Sequence, residues 1–188
     1  MKKTFSIILV FAFLSLNADP FVKELRLTPE GKILGIVLNF NEYELILNDE
    51  GYLKAIVNKI APTAVSADIE LKDDQYYQDG SYCYFDKKKR LEYIEEKLVL
   101  YDPDSTGRID NIGHMRINYK RFYGSKEKIV NIGNLNLDYN LLIDRVDRIN
   151  KFNVRYDLNS KKIWRIYRTD TTSCGFNIKI INTYQEKK

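Results

Sequence analysis

The sequence predicts an all-β fold, an antiparallel meander of about seven to eight degenerate hairpin repeats drawn out as a curled or solenoid-like sheet. Three observations predict it. Seven segments end on an aliphatic residue, two mostly polar positions and an isoleucine: Ile33/Ile36, Leu53/Ile56, Leu91/Ile94, Ile109/Ile112, Ile129/Ile132, Val146/Ile149 and Ile163/Ile166. The closing isoleucines lie 20, 38, 18, 20, 17 and 17 residues apart, the mark of an internal repeat with one interval doubled. Stretches such as Met115-Arg116-Ile117-Asn118-Tyr119 alternate apolar and polar, which sets the apolar side chains on one face of a strand.

The first element is not part of that fold. Lys2 and Lys3 precede an apolar run from Phe5 to Leu14, and Ala18 offers a small residue at a cleavage point, the layout of a secretory signal peptide over residues 1–18. The run is too short to span a membrane, and no later stretch approaches the ~18 apolar residues a spanning helix needs. Export would place the protein in the periplasm, at the cell surface or outside the cell, with no transmembrane segment after processing. The expected mature chain, residues 19–188, is a single β-repeat domain. The whole chain carries 30 basic and 26 acidic residues, net +4, which falls to +2 without Lys2 and Lys3. So mixed a surface makes no polyanion-binding field, and nucleic acid is not an expected partner.

Along the domain, the breaks inside each unit carry turn chemistry: Thr28-Pro29-Glu30-Gly31, Asn48-Asp49-Glu50-Gly51, Asp102-Pro103-Asp104-Ser105-Thr106-Gly107 and Leu158-Asn159-Ser160-Lys161. The links between units are two residues long, Gly113-His114, Gly133-Asn134 and Asn150-Lys151, as tight hairpins require. An irregular insertion near 58–82 interrupts the pattern with Pro62, several small residues and Asp73-Asp74. The offset of three between paired aliphatics breaks strict alternation. Either a bulge returns the second to the core face, or the final isoleucine belongs to the turn. A transmembrane barrel is disfavoured, because its strands need ~9–11 residues with a lipid-facing apolar band, and the outward positions here hold Arg, Asn, Asp and Lys.

The later units read Tyr101-Asp102 to Gly107-Arg108-Ile109, Tyr119 to Lys128-Ile129, Tyr139 to Arg145-Val146, and Tyr156-Asp157 to Lys162-Ile163. This resembles the Tyr-Asp (YD, Rhs-type) hairpin repeat of bacterial exported and surface proteins, over roughly Leu98 to Ile166 and more loosely over Leu25 to Ile56. The resemblance implies a β-sheet shell without catalytic residues of its own. Toxin-bearing members of that family need a far longer repeat array and a terminal effector domain, so their toxin role is not expected to carry over.

The candidate sites follow. Tyr101, Tyr119, Tyr139 and Tyr156 recur at one repeat position and are expected to stack as a core ladder. Tyr76, Tyr77, Tyr82 and Tyr84 fall outside that register and are the better binding candidates, for an envelope glycan or another envelope protein. Asp102, Asp104 and Asp110 partly match a calcium loop, but Gly113 stands where a Glu is needed, and an Asp-led turn explains the same residues. Cys83 and Cys174 can pair in an oxidising compartment or remain separate thiols. His114 and Cys174 as base and nucleophile lack a third orienting group. Lys87-Lys88-Lys89-Arg90 reads as a solvated tip or a contact for acidic polymers, and Arg145, Arg148, Arg165 and Arg168 as a basic strip or as partners of Asp144 and Asp147. No cofactor is expected. The functional expectation is an exported, non-catalytic binding or scaffold module, with a small exported enzyme or inhibitor acting through 58–82 as the alternative.

Overall fold

The computed structural model describes residues 19–59, 64–66, 83–105, 107–121, 127–140, 142–168 and 175–182, and these hold strands and turns with no helix. The strands are β1 (Phe21–Leu27), β2 (Ile33–Asn39), β3 (Tyr43–Leu47), β4 (Leu53–Asn58), β5 (Ala64–Ser66), β6 (Cys83–Phe85), β7 (Leu91–Ile94) and β8 (Lys97–Tyr101). They continue as β9 (Ile109–Ile112), β10 (Met115–Arg121), β11 (Glu127–Ile132), β12 (Leu135–Asn140), β13 (Arg145–Ile149), β14 (Phe152–Tyr156), β15 (Ile163–Arg168) and β16 (Asn177–Ile180). Two sheets result. One has six strands in the order β16-β1-β2-β3-β4-β5, the other ten in the order β15 to β6. Neither closes into a barrel. The expected all-β meander is what forms, and neighbouring strands follow chain order throughout the larger sheet.

One pairing departs from it. β16 lies parallel to β1, with Leu25 opposite Ile178. The chain thus returns from the end of the larger sheet to the edge of the smaller one, a long-range pairing that local alternation does not encode. β4 ends at Asn58, where the insertion near 58–82 is expected to begin, and within that stretch Ala64–Ser66 pairs antiparallel with β4. Residues 60–63 and 67–82, with Asp73, Asp74 and Asp79, lie outside the described residues.

The offset of three is a bulge. In the β8–β9 pairing Tyr101 faces Ile109 and Leu100 faces Asn111, so Asp110 is the extra residue. The same irregularity puts Leu34, Lys54, Glu92, Val130, Asp147 and Trp164 in excess in the other hairpins. Each bulge restores the second aliphatic to the core face. Both members of Leu91/Ile94, Ile109/Ile112, Ile129/Ile132 and Val146/Ile149 are accordingly fully buried. Full burial of such a side chain stabilises by ~1.5–3 kcal/mol. At the links, Gly113, Gly133 and Asn150 take φ of +57°, +52° and +50°, which matches tight hairpin geometry.

The sheets share one core, in which Leu25, Ile36, Leu45 and Leu47 of the smaller pack with Ile109, Ile117, Ile129 and Leu137 of the larger. Backbone bonds tie them at the long-turn end. Ile109 and Ile129 donate N–H groups to the carbonyls of Gly51 (3.1 Å) and Asp49 (2.8 Å), while Val146 and Ile163 donate to Gly31 (3.0 Å) and Pro29 (2.6 Å). The two turns of the smaller sheet must therefore come against the larger sheet without side chains in the way. Gly31 and Gly51 do this at φ of +84° and +86°, each with a tyrosine hydroxyl, of Tyr156 and Tyr119, where a Cβ would stand. At the link end the Glu95 carboxylate accepts from the backbone N–H of Asn41 (2.9 Å) and Glu42 (2.6 Å), and Asn134 Oδ1 accepts from Val22 N–H (3.3 Å).

Candidate functional site

The repeat-register tyrosines serve the fold. Each hydroxyl donates to a backbone carbonyl ten residues earlier, in the preceding hairpin: Tyr101 to Leu91 (2.8 Å), Tyr119 to Ile109, Tyr139 to Ile129 (2.9 Å) and Tyr156 to Val146 (2.5 Å). A cation eleven residues earlier covers each ring: Arg90 at 4.6 Å from the centroid, Arg108 at 4.4 Å, Lys128 at 5.5 Å and Arg145 at 3.6 Å. The expected ladder of stacked tyrosines is thus a ladder of cation, ring and carbonyl. Burial pushes the Tyr101 phenol up to about 12 and raises Tyr119, Tyr139 and Tyr156 as well.

The charges around this ladder are committed to one another. Burial disfavours the Arg108 cation, yet hydrogen bonds to Asp102 and Glu127 hold it firmly protonated. Lys128 is likewise buried and is raised by Asp144 and Asp49, the latter at 2.8 Å. Arg90 pairs with Asp86 at 2.7 Å, and Arg148 pairs with Asp138. The expected basic strip is therefore divided. Arg145 lies on Tyr156 and Arg148 on Asp138, Arg165 is exposed, and the Arg168 side chain lies outside the described residues. Lys87, Lys88 and Lys89 project from the β6–β7 turn, whereas Arg90 folds back on Tyr101.

The aspartates of the calcium-like loop do not converge. Asp102 bonds Arg108 and accepts from the Asp104 backbone N–H at 2.8 Å, as an Asp-led turn does, and Arg108 holds its carboxyl below the usual range. Asp110 is the bulge residue of β9. Among the described residues no group of three or more His, Cys, Asp or Glu side chains is placed to hold a metal ion. His114 sits exposed in its link. Cys83 is buried on the core side of β6, and burial, with Glu95 nearby, pushes its thiol up to about 12. Cys174, and with it the pairing of the two cysteines, lies outside the described residues, as do Tyr76, Tyr77 and Tyr82.

Tyr84 points outward from β6 and is 51% exposed. It is the start of a surface. Directly across, on β7, Tyr93 meets it edge to face with centroids 6.5 Å apart, and Leu98 on β8 lies opposite Tyr93. Leu100 extends the strip along β8 at 45% exposed. Beside it opens a groove of about 730 Å³ with Leu98, Leu100 and Tyr101 among its apolar walls and Asp86, Lys88 and Glu92 among its polar ones. Tyr93, Leu98 and Leu100 escaped the sequence reading, but a signal was present. Leu98 and Leu100 fill outward positions that in other hairpins hold Arg116 and Asn118, or Asn136 and Asp138, and Tyr93 fills the one that holds Asn111 or Asn131. Apolar side chains in polar slots cost solubility and mark contact surfaces when they adjoin.

No protein-family model, curated protein or solved structure matches this chain.

Proposed function

We propose that the chain is an exported, non-catalytic β-repeat module of the envelope or the secreted fraction, and that it holds an envelope glycan on the Tyr84–Tyr93–Leu98–Leu100 strip. One observation carries the reading: a contiguous apolar strip with two exposed aromatic rings runs beside a groove whose rim bears the carboxylates of Asp86 and Glu92 and the Lys88 ammonium. Sugar rings present apolar C–H faces and polar edges, and such a floor and rim complement both. The resemblance to Tyr-Asp hairpin repeats supports the scaffold role, and the basic and apolar opening segment supports export. In a sedimentation assay with isolated cell-wall glycan, the Tyr84→Ala/Tyr93→Ala double variant is expected to lose at least tenfold in affinity while its circular dichroism stays that of the wild type. Binding that survives both substitutions removes the strip from the account.

A further inference from the structure

The hairpins of the larger sheet are joined by one repeated junction. The strand that enters from the next hairpin places residues three, five and seven positions past the closing isoleucine: Met115, Ile117 and Tyr119 after Ile112; Leu135, Leu137 and Tyr139 after Ile132; Phe152, Val154 and Tyr156 after Ile149. The first faces that isoleucine, as in Met115 to Ile112, Leu135 to Ile132 and Phe152 to Ile149. The tyrosine then reaches the carbonyl of the hairpin's first aliphatic, under the cation just before it.

β15 carries the receiving half of this junction once more. Lys162 stands in the place of the cation, Ile163 in that of the first aliphatic and Ile166 in that of the closing isoleucine. The entering half does not follow Ile166 in the sequence, since Thr169, Thr171 and Ser173 occupy the three positions. Instead of turning at a two-residue link, β15 runs on to Arg168, opposite Phe152, and among the described residues it is the last strand in the sheet order. When the described chain resumes, Gly175 lies beside Asn134 and β16 joins the other sheet. Ile163 and Ile166 are only partly buried against the core where Ile129, Ile132, Val146 and Ile149 are fully buried, and Trp164 between them is 70% exposed.

We propose that β15 is an acceptor edge for an extended strand of a partner protein, with apolar–polar–apolar–polar–tyrosine alternation, added antiparallel so that its tyrosine hydroxyl bonds the Ile163 carbonyl beneath Lys162. Strand addition of this kind draws affinity from the main chain and specificity from alternate side chains. Lys161, Lys162 and Arg165 along the edge repel a second β15, so two copies meeting edge to edge are disfavoured. The same charges suit an incoming strand with an acid in an outward slot, as Asp138 is in β12.

Trp164 is the sole tryptophan of the chain, which makes its fluorescence a reporter of this edge. The probe is a synthetic peptide with the sequence of residues 134–140, titrated into the full chain beside a Tyr→Phe version and a scrambled one. The expected result is a saturable blue shift with the first, about two- to tenfold weaker binding with the second, as one hydrogen bond is worth, and no shift with the third. Ile166→Asp is expected to abolish the response, and the Tyr→Phe comparison stands on the unaltered chain if that variant fails to fold. An equal response to the scrambled peptide, no response to any peptide, or a shift that grows with protein concentration without peptide would each overturn the proposal, the last by making a second copy the occupant.

Discussion

Replacing Tyr139 by phenylalanine isolates the hydroxyl of the ladder. The ring, its packing and the Lys128 cation 5.5 Å above it remain, while the 2.9 Å bond to the Ile129 carbonyl is lost. Ile129 is fully buried, so its carbonyl is left in a site from which water is excluded. Such an abandoned acceptor costs about 1–3 kcal/mol, more than the net value of an ordinary hydrogen bond. Tyr84→Phe removes a hydroxyl from a ring half in water and is expected to change stability by less than about 0.5 kcal/mol. Equilibrium urea unfolding, followed by far-ultraviolet circular dichroism and Trp164 fluorescence, measures both. With a slope of about 2 kcal/mol per molar, Tyr139→Phe should lower the midpoint by roughly 0.5–1.5 M. A Tyr139→Phe midpoint no lower than that of Tyr84→Phe would refute the claim that the hydroxyl-to-carbonyl bonds fasten each hairpin to the one before.

Two further predictions concern the sheet-to-sheet contacts and the buried acids. Glu95→Ala should destabilise by about 2–4 kcal/mol, since two backbone N–H groups lose a charged acceptor, and amide exchange at Asn41 and Glu42 should accelerate before the rest of the chain. Alkali should unfold the protein cooperatively. The Tyr101 and Cys83 groups ionise near 12 when folded but near 10 and 9 when unfolded, and Tyr119, Tyr139 and Tyr156 shift in the same direction. The folded state therefore holds more protons between these values. Stability is intact below pH 9 and falls from there toward pH 12, by up to ~1.4 kcal/mol per group per pH unit. Circular dichroism and tyrosinate absorbance at rising pH should change together; tyrosinate signal from these rings in a still-folded protein would contradict their burial.

Much of the fold could be read locally. The aliphatic pairs, the two-residue links and the turn residues each follow from dihedral preference or alternation within about ten residues, and the strands fall where they indicate. A strand number this large calls for curling or splitting, but the place of the division into two sheets was not visible, because the break falls in the stretch where the pattern fades. Nor was the β1–β16 pairing, which joins segments about 150 residues apart through backbone groups every residue possesses. The tyrosine register was visible but its partners were not. A carbonyl acceptor has no sequence signature, and the cation belongs to the previous hairpin. At the candidate site, Tyr84 stood out by breaking the register, whereas Tyr93, Leu98 and Leu100 needed the inward and outward slots to be assigned first.

The docking of the two small-sheet turns has a consequence for how this chain can change in length. The turn at 48–51 grips two successive hairpins, through Ile109 and Ile129, and the turn at 28–31 grips the next two, through Val146 and Ile163. The gearing is two to one, with a short toothed edge meshed to a longer one. Loss or gain of a single hairpin between Leu98 and Ile166 would leave a tooth half engaged and set Gly31 or Gly51 against the wrong tyrosine. The array is modular along its length, yet the mesh admits change only in pairs, matched by a turn on the opposite edge.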